Sequence, residues 1–127
     1  MYGTCTIDMA YNSTFFSNNL EAAVQPGLLY VVVLANKKTG ERECIKIGIT
    51  KGKTWKDAIV RSQGFGPYEI RIQTTITGTI EEVYNLEQTL HAEFRDFKHT
   101  PKYKFGGKTE CFSMGCLPKV LDFLRCK

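Results

Sequence analysis

A chain of 127 residues, 43% hydrophobic and 24% charged, has the composition of an ordinary globular protein and is long enough to bury a core without staples. No apolar run approaches the roughly 20 residues a membrane helix needs, and no basic segment leads into an apolar one at the N-terminus, so neither a membrane span nor a signal peptide is expected and the location is expected to be cytoplasmic. The five cysteines, Cys5, Cys44, Cys111, Cys116 and Cys126, are odd in number and scattered, which makes free thiols the default.

In chain order, residues 1–26 read as an N-terminal arm followed by a short helix. Met1 to Ser17 has no clear period, whereas Asn18 or Asn19 could cap a helix through Leu20 to Val24 that Pro26-Gly27 ends. Residues 27–127 read as the remaining, single domain. Leu28 to Leu34 is apolar throughout except for the phenol of Tyr30, as expected of a strand covered on both faces. After the turn chemistry of Asn36 to Gly40, Ile45, Ile47 and Ile49 alternate with Cys44, Lys46, Gly48 and Thr50, so an antiparallel hairpin is predicted. Thr54 with Asp57 starts a helix that carries Arg61 on its flank and stops at Gly64 to Pro67. Glu69 to Thr77 alternates again, with Ile70, Ile72, Thr74 and Ile76 on one predicted face.

Thr79 and Glu82 form a capping box, and Val83, Leu86, Leu90, Phe94 and Phe97 recur at helical spacing, which predicts a helix from about Ile80 to Phe97. Glu87 lies about 20° beyond the edge of that apolar arc, with His91 and Tyr84 further out on the same flank. A carboxylate there either snorkels to water or meets a cation, a metal or hydrogen-bond donors. Arg95 to Lys108 carries Arg95, Lys98, Lys102, Lys104 and Lys108 against Asp96, a net +4 equal to the formal charge of the chain. Tyr103 and Phe105 are interleaved with these lysines, a mixture suited to phosphate contacts and base stacking, or else a solvated loop. Cys111 and Cys116 could join His91 and His99 as zinc ligands. Pro118 begins a closing helix with Val120, Leu121, Phe123 and Leu124.

Gly27-Leu28-Leu29-Tyr30 followed by Lys46-Ile47-Gly48 resembles the paired signature of the GIY-YIG nucleases, in the variant with lysine for the second tyrosine. The order Tyr30, Lys46, Arg61, Glu87 follows the family's strand tyrosine, second strand residue, helix arginine and metal-binding glutamate, and the resemblance covers Gly27 to Phe112. It implies an α/β (α+β) fold with a small, mainly antiparallel three-stranded sheet flanked by helices. It also implies a metal-dependent DNA endonuclease in which Glu87 holds one Mg²⁺ or Mn²⁺, Arg61 binds phosphate, and Tyr30 activates water with help from Lys46. His91 could orient Glu87, assist proton transfer or touch the metal. Lys98, Lys102, Tyr103, Lys104 and Lys108 would contact DNA. No asparagine follows Asn85, where many members place one, so a catalytically silent nucleic-acid-binding module is the competing reading.

Overall fold

The computed structural model describes residues 13–52, 67–101 and 111–125, with side chains from residue 16 in the first stretch. The predicted helix bearing Arg61, and Cys5, Lys102, Tyr103, Lys104, Lys108 and Cys126, lie outside the described residues. Two short helices, α1 (Ser13–Asn18) and α2 (Leu20–Ala23), lead into β1 (Pro26–Asn36), β2 (Arg42–Lys51) and β3 (Tyr68–Thr79). Helix α3 (Ile80–Glu93) and a 3-10 turn (Arg95–Phe97) follow, and β4 (Cys111–Ser113), a second 3-10 turn (Met114–Cys116) and α4 (Leu117–Arg125) come last.

The sheet is antiparallel in the order β3-β1-β2-β4. It therefore has one strand more than the three predicted. Strand β4 sets only Cys111, Phe112 and Ser113 against Lys46, Ile45 and Cys44, too few positions for an alternation to be read. β1 is paired on both edges and buried from Leu28 to Ala35, which is why its sequence is apolar without alternation. On one face Leu29, Val31 and Val33, with Ile45 and Ile47 of β2, pack into a core with Val83, Leu90 and Phe94 of α3 and Val120 and Leu124 of α4. On the other face Leu28, Tyr30, Val32 and Leu34 cluster with Cys44, Tyr68 and Cys111.

The β1–β2 turn is held by Asn36, whose Oδ1 accepts from Lys38 N at 2.8 Å and Thr39 N at 3.1 Å, while Gly40 takes the positive φ of 75° that the turn requires. The capping box of α3 forms as predicted: Glu82 N donates to Thr79 Oγ1 at 3.1 Å and Thr79 N to Glu82 Oε1 at 2.8 Å. The α-helix ends at Glu93, and the predicted remainder to Phe97 winds as the tighter 3-10 turn. Gly27 lets α3 approach the sheet, since a Cβ there would meet Ile80 Cδ1 at 2.8 Å and Val83 Cγ2 at 2.9 Å.

Two expectations are met in part. Asn19 takes the N-cap position of α2, where its carbonyl accepts the first helical bond from Ala23 N at 3.0 Å, but its side chain makes no cap bond. The single apolar face expected of β3 is split. Val31 pairs with Thr74 and Val32 with Ile72, so Gln73 is an extra residue in the ladder. A one-residue slip exchanges the faces: Ile70 and Ile72 pack with the Tyr30 cluster and Ile76 with the α3 core.

Candidate active site

Tyr30 and Gly48 are directly paired across β1 and β2, and Lys46 lies two residues before Gly48 on the same face. This register brings the two halves of the sequence signature into contact. Lys46 Nζ donates to Tyr30 Oη at 2.5 Å. It also lies over the ring, 4.7 Å from the centroid, so the ammonium meets both the phenol oxygen and the aromatic face. Lys46 is 1% exposed and Tyr30 5%, so the lysine is not the solvated surface ammonium that an edge position could have made it. Gly48 provides the room. A Cβ at that position would stand 2.6 Å from Tyr30 Oη and 2.9 Å from Lys46 Nζ, a distance real side chains do not tolerate.

Glu87 and His91 come from α3, which packs over the opposite face of the sheet. Glu87 is fully buried, so it does not snorkel to water. Its Oε1 accepts from Gln88 Nε2 at 3.3 Å, and its Oε2 lies 4.0 Å from His91 Nε2, beyond hydrogen-bond range. His91 Nε2 is 3.2 Å from the carbonyl oxygen of Ile47. A carbonyl only accepts, so Nε2 carries the proton and the imidazole fastens α3 to β2. Ile47 sits between Lys46 and Gly48, one residue past the last β2–β4 pair, Lys46↔Cys111. The Tyr30–Lys46 pair and the helix carrying Glu87 and His91 thus lie on opposite faces of the sheet, linked through the β2 backbone at Ile47.

A phenol held against an ammonium is a proton-transfer pair, and a carboxylate removed from water has a strong demand for positive charge. Of the predicted DNA-contacting residues, Lys98 is described; it is exposed and bridges to Phe112. The zinc grouping of Cys111 and Cys116 does not form, because the sheet separates them: Cys111 packs in the Tyr30 cluster and Cys116 in the α3 core. Burial pushes the Cys116 thiol up, and its Sγ donates to Ser113 O at 3.1 Å. A different polar cluster was not anticipated from the sequence. Tyr68 Oη donates to Glu43 Oε1 at 2.7 Å, and His99 Nε2 is 3.0 Å from Glu43 Oε2. Nothing in the spacing of residues 43, 68 and 99 signals this meeting, which depends on the pairing of three separate segments.

The chain is thus an α+β domain with an antiparallel sheet, a buried tyrosine–lysine pair across its central hairpin and a buried glutamate on the helix that follows β3. The family model of the T5orf172 domain matches residues 27–126, and the chain belongs to that family. This is a phage-associated domain often linked to nuclease-type modules. Neither a curated protein nor a solved structure matches the chain. No helix among the described residues is long and apolar enough to cross a membrane.

Proposed function

We propose that the chain is a divalent-metal-dependent DNA endonuclease that uses the GIY-YIG-like residues Tyr30, Lys46, Arg61 and Glu87, with Tyr30 and Lys46 on one face of the sheet and Glu87 on the helix over the other. The observation that carries this reading is the buried Lys46–Tyr30 hydrogen bond seated on Gly48, which gives a chemical reason for three signature residues at once. Membership of the T5orf172 family supports it.

The donor chemistry at Glu87 fits one Mg²⁺ or Mn²⁺, since hard cations take carboxylate oxygen and complete their shell with water. Such an ion, when bound, neutralises charge on the phosphoryl oxygens and assists the leaving alkoxide. The remaining chemistry belongs to the chain. A free phenol ionises near pH 10, at roughly the ordinary tyrosine value, so little phenolate exists at neutrality without help. The Lys46 ammonium favours the phenolate, which then accepts a proton from the attacking water. Arg61 offers a planar fork to the phosphate oxygens. His91 is a positioning residue: by bonding Ile47 it fixes the turn of α3 that carries Glu87. Lys98, Lys102, Tyr103, Lys104 and Lys108 track the DNA backbone and stack on bases.

The near-complete burial of Tyr30 and Lys46 favours a second reading, a module that binds nucleic acid without cutting it. Nicking of supercoiled plasmid, with Mg²⁺ and with a chelator, separates the two. The nuclease reading expects ion-dependent nicking by the parent that is lost in Tyr30→Phe, a change that keeps the ring and removes the oxygen. DNA binding without nicking under Mg²⁺ or Mn²⁺ would establish the silent module.

A further inference from the structure

We propose that Glu43, Cys44 and His99 form a second metal site, independent of Glu87, for a borderline-soft divalent ion of the zinc class. In a regular strand the adjacent residues Glu43 and Cys44 would point to opposite faces. The β1–β2 ladder slips at this point: Leu34 pairs with Cys44 and Ala35 with Arg42, which leaves Glu43 as the extra residue of a β-bulge. Bulges re-aim side chains, and here a carboxylate oxygen of Glu43, the Cys44 sulfur and a ring nitrogen of His99 all lie within 4.8 Å of one another.

His99 is brought there by backbone bonds. Its N–H donates to Cys111 O at 3.0 Å, next to the bridge between Lys98 and Phe112. Its Nε2 stands 3.0 Å from Glu43 Oε2. Two ligand atoms at about 2.0–2.1 Å from a tetrahedral zinc are roughly 3.3 Å apart, so this pair is already near ligand spacing. The Tyr68 hydroxyl holds Glu43 Oε1 at 2.7 Å, which orients the carboxylate with Oε2 toward the cluster, the role that outer hydrogen bonds play around metal ligands.

A cleft of 460 Å³ lined by Glu41, Arg42, Glu43, His99 and Thr100 opens on two of the three donors, Glu43 and His99, whereas Cys44 is buried and outside its lining. Sulfur, imidazole and a single carboxylate suit Zn²⁺ and not Mg²⁺. Binding releases the Cys44 thiol proton to the buffer, while His99 ligates as the neutral imidazole with its proton on the ring nitrogen turned away from the ion; no electron moves.

The test uses the full chain stripped with a chelator and titrated with Co²⁺, read by the thiolate-to-cobalt charge-transfer absorption. The expected result is one Co²⁺ with a thiolate band that Zn²⁺ bleaches. The band disappears in Cys44→Ser and persists in Glu87→Gln. Because Cys44 is buried and its substitution could disturb folding, His99→Gln is the second variant; it should weaken Co²⁺ binding at least about tenfold, and Tyr68→Phe should weaken it less. Three results would overturn the site: no thiolate band at saturating Co²⁺, a band of parental affinity in folded His99→Gln, or loss of the band in Glu87→Gln.

Discussion

Adding one methyl group at Gly48 would bring it within 3 Å of both the Tyr30 hydroxyl and Lys46 Nζ, so Gly48→Ala must displace one of them. The expected cost is about 1–3 kcal/mol by chemical denaturation, the range for overfilling a packed site, together with a large loss of cleavage. Unchanged stability would mean that the pair shifts freely and is not held. The pair itself behaves differently. Replacing both partners, Tyr30→Phe with Lys46→Met, exchanges two buried polar groups for apolar ones of similar size, and such exchanges are often neutral or stabilising by about 1–4 kcal/mol. The double variant should therefore be at least as stable as the parent and inactive on DNA. A stability loss beyond about 2 kcal/mol would assign the pair to the fold and not to chemistry.

At the scale of elements, β1 organises the rest, because it is paired along nearly its whole length on both edges, whereas β2 meets β4 at three positions, and it has α3 over one face and the Tyr30 cluster on the other. Val32 is buried in that cluster, so Val32→Asp should cost about 3 kcal/mol or more in thermal or denaturant unfolding. A parental midpoint would contradict the central placement of β1. The elements that could be read from the sequence were those whose signal is local: the apolar run of β1, the alternation of β2, and the Thr79–Glu82 box with its periodic helix. What could not be read depends on partners far along the chain. The bulge at Gln73 divides the isoleucines of β3 between two faces, and the bulge at Glu43 turns a carboxylate toward Cys44 and His99; neither alters composition or spacing. Glu87 was legible as a residue at the margin of an apolar arc, but its complete burial follows from how α3 seats on β2 through His91 and Ile47.

Across the whole molecule, the formal charge of +4 is matched by the strip from Arg95 to Lys108 alone, so the remaining charges balance. If that strip holds DNA, removing Lys102 and Lys104 together should weaken binding to all sequences and flatten the salt dependence by roughly one to two units of log–log slope, one per lost phosphate contact. The single-turnover cleavage rate at saturating enzyme should change little. A salt slope equal to the parent's would make the strip a solvated loop.

Single-turnover DNA cleavage by Glu87→Gln, in the presence of Mg²⁺, tests the nuclease reading most directly. The substitution preserves size and removes the charge that would hold the ion, so the fold should persist and metal-free DNA binding should be equal or slightly tighter. Cleavage should fall by at least about 10³, equivalent to roughly 4 kcal/mol of barrier. Cleavage by Glu87→Gln at the parental rate, co-purifying with the protein through successive columns, would contradict both the metal site and the GIY-YIG-like assignment of α3.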